Sequence, residues 1–288
     1  DLDGGTGTTH EDWGAPDSGQ ARWYRCRVTA GGVDAGFSTT DVGYRKGPPD
    51  SPIDKFWTTN GPVLAIAASD AGVVYIGGEF TWIGPASTGS FVAIDEATGK
   101  ATYTWLRVNG EVRAIAPDDA GGWYIGGAFT SVNGQTRNRI AHVSAGGDLD
   151  PNWNPNAGNT VFALAVSGGI VYVGGVFATI GDAGRNGIAA LDGDGGATPW
   201  NPNASNTVYA LAVSGSTIYA GGTFMTIGDA GRSGIAALDT VTGLPTAWNP
   251  GADAYVRALA VNGAKVYAGG AFTRIGDRAG TEGRLVGE

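Results

Sequence analysis

One cysteine, Cys26, stands in a chain of 288 residues, so no intrachain disulfide is possible and thiol usage does not report a redox compartment. Charge is sparse as well, at 16% of residues, with only four lysines (Lys46, Lys55, Lys100 and Lys265). Acids outnumber bases 27 to 18, and the formal charge of −9 repels a phosphate backbone or an anionic membrane surface on average. Nucleic acid is therefore not an expected partner. No run of 18 apolar residues occurs, which leaves no transmembrane helix, and membrane insertion is not expected. Asp1 opens no charged-then-apolar leader and is not a methionine, so the reading is a processed product or a segment of a longer chain. Helical periodicity is not sustained anywhere.

What is abundant is glycine, at 51 residues, beside 42% apolar residues, nine tryptophans and ten tyrosines, a composition that suits many short strands joined by tight turns. The chain also repeats itself. A diglycine phrase recurs as "VYIGGEF" (74–80), "WYIGGAF" (123–129), "VYVGGVF" (171–177), "IYAGGTF" (218–224) and "VYAGGAF" (266–272), at spacings of 49, 48, 47 and 48. Before each comes V-x-A-(I/L)-A, starting at Val63, Val112, Val161, Val208 and Val256. After the first four come "FVAID" (91), "RIAHVS" (139), "GIAALD" (187) and "GIAALD" (234), and after the last a degraded "RLVGE" (284). A tryptophan phrase is the fourth, at Trp57, Trp105, Trp153, Trp200 and Trp248.

Each phrase is short, rich in β-formers and bounded by turn residues, which predicts four strands per period of about 48 residues. Four-stranded sheets at that period are the signature of a β-propeller. The expected fold is all-β, a five-bladed β-propeller of four-stranded antiparallel blades. The nearly continuous apolar runs fit blades covered on both faces. The first tryptophan phrase precedes the first blade and none follows the last, so closure is expected to pair residues 54–59 beside 283–288, removing two exposed edges. An open arc of a longer array is the alternative. The diglycine predicts close approach of backbone or a neighbouring bulky group, with the following Phe or the tryptophans as fillers and as inter-blade core.

On these phrases, residues 54–288 resemble the delta-60-type repeats of uncharacterised bacterial β-propellers, which implies large secreted or surface-attached proteins and no known activity. Residues 1–47 lack the repeat. "WYRCRVTAGGVDAGFSTTDVGYRKG" resembles the last two strands of an immunoglobulin-like sandwich, with Tyr24 two residues before Cys26 as in a tyrosine corner. The proline-rich residues 48–53 read as a linker between this partial segment and the propeller.

Loops after the second and fourth strands of an up-and-down blade share one end. That end gathers "TIGDAGRNG", "TIGDAGRSG" and the "WNP" loops. The candidate binding face is Asp182, Arg185, Asp229, Arg232, Asp277, Asn156 and Asn203, and the competing reading is that these residues cap their own turns and bridge loops. Asp192 and Asp194 in "LDGDGG" are spaced as in oxygen-ligand Ca2+ loops, but the full twelve-residue pattern is absent; no cofactor is expected otherwise. Catalysis is not expected. The inner strands are aliphatic, with Asp70, Asp118 and Asp119 only at their ends, no carboxylate pair suits a glycosidase, and His10 and His142 stand without an activated nucleophile. His142 reads as a packed or edge residue of a strand, Cys26 as a buried thiol, and Asn203-Ala-Ser205 as a sequon in form alone. The functional expectation is a non-enzymatic extracellular structural or adhesive module that partners itself in a surface filament or layer. The alternative is a module that binds a cell-surface glycan, and a glycoside hydrolase ranks last.

Overall fold

The computed structural model describes residues 59–68, 73–83, 86–87, 89–95 and 106–276, together with the strands Cys26–Ala30 and Val33–Phe37. The chain divides into two compact units, Asp1–Val112 and Arg113–Glu288. No helix occurs among the described residues, and none could cross a membrane.

In the first unit, Cys26–Ala30 pairs antiparallel with Val33–Phe37. That pairing bears on the immunoglobulin-like reading only as two strands; residues 48–53, 54–58 and 283–288 lie outside the described residues. Repeat one follows, with Val63–Ala68, Val73–Gly78 and Phe91–Asp95 in one antiparallel sheet and a small hairpin, Trp82–Ile83 with Ala86–Ser87, between its second and third strands.

The second unit carries the other repeats from Arg113 on. Repeat two has Val112–Pro117, Trp123–Gly127 and Ile140–Val143; repeat three has Val161–Ser167, Ile170–Gly175 and Ile188–Leu191. Repeat four has Val208–Ser214, Thr217–Gly222 and Ile235–Asp239, and repeat five has Val256–Asn262 paired with Lys265–Gly270. The second strand is central in each three-stranded sheet. Turns such as Gly168-Gly169, both at positive φ (58° and 75°), let the first two strands join directly.

Among the described residues, the fourth strand of the expected blade does not form after repeats two, three and four. The tryptophan segment touches the third strand through a single bridge per repeat, Val143 with Leu149, Leu191 with Ala197 and Leu238 with Pro245. Its prolines explain this, because Pro151, Pro155, Pro202 and Pro245 have no N–H to give a ladder. The segment is fastened by its indole instead. Trp153 Nε1–H donates to the Asp192 carbonyl at 3.4 Å and Trp200 Nε1–H to the Asp239 carbonyl at 2.9 Å, each at the end of the third strand of the next repeat.

The diglycine has a geometric cause, and its two glycines have different ones. A Cβ on Gly126, Gly174 or Gly221 would stand 2.5, 2.8 and 2.7 Å from Cγ1 of Val161, Val208 and Val256, so the first glycine is a notch for the valine that opens the next repeat. A Cβ on Gly175 or Gly222 would run into the carbonyl of Thr160 or Thr207 and crowd Phe177 or Phe224, so the second makes room within its own repeat. The valine knobs are fully buried. Of the fillers expected from sequence, the following Phe crowds the second glycine, whereas the first faces a valine, and tryptophan is not among the nearest neighbours of either.

Core clusters accordingly span the seams. One joins Tyr124 and Ile140 of repeat two and Trp153 of the segment after it to Val161, Val171 and Val173 of repeat three; another joins Tyr172 and Ile188 of repeat three and Trp200 to Val208, Ile218 and Phe224 of repeat four. A lone three-stranded sheet has two apolar faces and cannot bury both, so stacking supplies the missing cover.

Candidate functional site

The loops between second and third strands, and those leading into each first strand, lie at one end of the sheets, as the repeat phase requires. The loop hairpins turn at Gly181-Asp182 (φ 59° and 59°) and Gly228-Asp229 (φ 60° and 59°), so Asp182 and Asp229 serve as left-handed turn residues with exposed side chains. Arg185 and Arg232 are half-buried straps. Each guanidinium accepts nothing and donates twice: to the Gly184 and Thr198 carbonyls at 2.8 and 2.6 Å, and to the Gly231 and Thr246 carbonyls at 2.8 and 2.7 Å. Arg137, 5% exposed, does the same in repeat two toward Thr136, Asp150 and Pro151. The arginines thus tie the proline-bearing segment to the loop hairpin.

Asn156 and Asn203 also take left-handed backbone (φ 55° and 54°) and accept hydrogen bonds from the side-chain amides of Asn138 and Asn186 at 2.6 and 2.7 Å. Of the residues expected at this face, the structure brings Asn203 and Asp229 together. They line an open hollow of about 450 Å³ with Asn186, Ser205, Asn206 and Thr226. Asp182, Arg185, Arg232 and Asn156 do not line it, and Asp277 lies outside the described residues.

Asp192 spends its Oδ1 on its own turn, accepting the backbone N–H of Asp194 and of Gly196 at 3.0 and 2.8 Å. Among the described residues, no group of three or more His, Cys, Asp or Glu side chains could hold a metal ion.

His142, expected as a packed or edge residue of a strand, is packed and has two carboxylate partners that the sequence reading did not name. At the opposite end of repeat two its Nε2 lies 2.8 Å from Asp118 Oδ2 and its Nδ1 3.0 Å from Asp150 Oδ2, while its ring stacks on Tyr124 at 4.5 Å. The hydrogen bond to His142 holds the Asp150 carboxyl below the usual carboxylate range. Burial, followed by the charge of Asp118, Asp150 and Asp119, pushes the Tyr124 phenol up. Asp150 also accepts the backbone N–H of Asn152 and Trp153, so the cluster sets the start of the tryptophan segment. With both ring nitrogens engaged, His142 offers no free base. The signal was in the internal alignment: Ala93, Ala190 and Ala237 hold the equivalent place in repeats one, three and four.

With this geometry in view, the comparisons fix the class. A family model described as "Domain of unknown function (DUF5122) beta-propeller" matches residues 121–152. The chain is similar to the crystal structure of the WD40 beta propeller domain of Doa1, at 13% identity and a TM-score of 0.51, over 83% of this chain and 65% of that one. It is also similar to two computationally designed proteins at 18% identity: Ika8 (TM-score 0.46, 72% of this chain and 68% of that one) and Ika4 (TM-score 0.41, 62% and 92%). No curated protein matches. Repeated antiparallel sheets, the propeller family model and the WD40 likeness define an all-β protein of the β-propeller class.

Proposed function

We propose that this chain is a non-enzymatic structural or adhesive β-propeller module, five-bladed, acting outside the cell or on its surface and partnering further copies of itself in a filament or layer. The ring closes by pairing 54–59 beside 283–288, which brings a valine-led first strand to the last notch. That notch is at Gly269, where a Cβ would meet only Ala258 Cβ at 3.8 Å among the described residues. The observation that carries the structural reading is the use of the loop chemistry. Arg185 and Arg232 are spent on carbonyls of their own repeat, and Asp182 and Asp229 on turns, so the same groups recur in successive repeats as fasteners. Sedimentation velocity across a hundredfold concentration range, with negative-stain microscopy of the concentrated sample, tests it. Self-association into regular assemblies is the expected result, and a monomer at every concentration refutes it.

The hollow beside Asn203 favours a second reading, a module that binds neutral carbohydrate. Its rim presents amides, hydroxyls and one carboxylate, Asp229, in a cavity of about 450 Å³, the chemistry that pairs with sugar hydroxyls. Asn203→Ala with Asp229→Ala should weaken binding of whichever oligosaccharide the protein retains; unchanged binding removes the hollow from consideration.

A further inference from the structure

The phrase V-x-A-(I/L)-A keeps every position but one. Its second residue is Leu64, Arg113, Phe162, Tyr209 and Arg257 in the five repeats. Architecture accounts for the constant positions and for the freedom of the second. The pairing register shifts at this residue in repeats one, three, four and five, between Val63 and Ala65, Val161 and Ala163, Val208 and Ala210, and Val256 and Ala258, so a bulge lifts it out of the ladder. A bulge re-aims its side chain, and packing does not dictate what that side chain is. At all five positions, four of them lifted from the ladder, the sequence nonetheless sets a large residue, in four of the five an aromatic ring or a guanidinium.

Within the second unit these side chains meet. First strands of repeats three, four and five lie side by side. The Arg113 guanidinium lies over the Phe162 ring at 5.4 Å, Phe162 meets Tyr209 edge to face at 5.2 Å, and the Arg257 guanidinium lies over Tyr209 at 5.3 Å. Tyr255, 40% exposed and just ahead of the last first strand, extends the row at 6.3 Å from Tyr209. The row is half-buried at Phe162 and Tyr209 and open at Arg257. It sits where the first strands begin, at the end of the sheets that also carries Asn186, Asn203, Ser205 and Asn206.

We propose that this row of rings and guanidinium groups is the platform on which a neutral oligosaccharide lies, with the amide- and hydroxyl-rich loops as its rim. The proposal rests on the carbohydrate-binding reading and names its inner contact. A pyranose has an apolar face of C–H bonds that suits the negative face of an aromatic ring, and a periphery of hydroxyls that suits amides and guanidinium donors. Both complements lie at this end. A polyanion fits poorly, since Asp182, Asp229 and Asp253 share the end and the chain carries −9 overall.

The experiment is calorimetric titration of the intact protein with cellohexaose, chitohexaose, xylohexaose and laminarihexaose, and with a deca-glutamate peptide. Phe162→Leu with Tyr209→Leu is the informative variant, because Leu64 already holds this position in repeat one and the fold tolerates it. At least one hexaose is expected to bind, with a loss of about tenfold or more in the double leucine variant and a smaller loss in Asn203→Ala with Asp229→Ala. If a hexaose binds and only the asparagine–aspartate variant loses affinity, the platform is overturned while carbohydrate binding stands. Should no hexaose bind, or should the acidic peptide alone bind, both fall.

Discussion

Gly174→Ala sets two opposing effects against each other, and the seam geometry decides between them. Alanine is the better strand residue, by about 0.5–1 kcal/mol, because it loses less backbone freedom on folding. Against this, the new methyl would stand 2.8 Å from Val208 Cγ1, 3.3 Å from the Val208 carbonyl oxygen and 3.4 Å from Ala163 Cβ. Carbon atoms in contact sit at about 3.5–4.0 Å, so the seam must open by most of an ångström. Val208 is fully buried and one of the three neighbours is backbone, so nothing flexible gives way. Overpacking of this kind costs about 1–3 kcal/mol, and the net expectation is a loss of about 1–2 kcal/mol. Gly184→Ala is the control, since its Cβ would meet nothing within 4 Å and its φ is not left-handed. Urea unfolding followed by tryptophan fluorescence reads both. A Gly174→Ala protein as stable as the Gly184→Ala protein, or more stable than the parent, refutes the knob-and-notch seam.

Other expectations follow from single groups. Trp200→Phe removes the 2.9 Å bond to the Asp239 carbonyl and shrinks a buried ring, so it should cost more in urea unfolding than the about 0.5–1.5 kcal/mol of the bond alone. Arg185→Met releases the Thr198 carbonyl and should cost about 1–2 kcal/mol by the same assay. His142→Ala leaves Asp118 and Asp150 facing each other without their partner and should cost about 1–3 kcal/mol. Converting all three to the residues of repeat three, Asp118→Ser, His142→Ala and Asp150→Thr, should return stability to within about 1 kcal/mol of the parent. Asp253 accepts the Thr273 hydroxyl at 2.7 Å and the Arg274 backbone N–H at 3.0 Å, which lower its pKa from 3.8 to about 2. Because the folded value is depressed, its contribution is present above pH 3.8 and disappears as the pH falls toward 2; the Asp253→Asn protein should lack that part of the acid-side decline in thermal midpoint.

The strand phrases were legible because each combines β-formers with glycine-marked ends. Val161–Ser167, Ile170–Gly175 and Ile188–Leu191 fall where the phrases predict. Among the described residues, the tryptophan phrase at Trp153, Trp200 and Trp248 is not a strand, and the sequence contains the reason in its prolines, which outweigh the β propensity of one indole. At the candidate face, turn chemistry was legible in Gly-Asp, but the destination of Arg185 was not. Its partner, the Thr198 carbonyl, is a backbone atom 13 residues on and has no sequence signature. His142 was missed for a related reason: its partners lie 24 residues before and 8 after, and single-residue reading cannot join them. Aligning the repeats against one another recovers it, as it does the variable second position of the first strand. Where an otherwise constant phrase breaks, the fold is not what chose the residue.

The proposed link between the fold and the function is that every diglycine seam is filled, including the last. Gly269→Ala tests it most directly. A closed ring seats a valine-led strand at this notch, so the substitution should cost about 1–2 kcal/mol, matching Gly174→Ala. A Gly269→Ala protein that unfolds at the same urea concentration as the parent, or higher, contradicts closure and leaves the fifth sheet open.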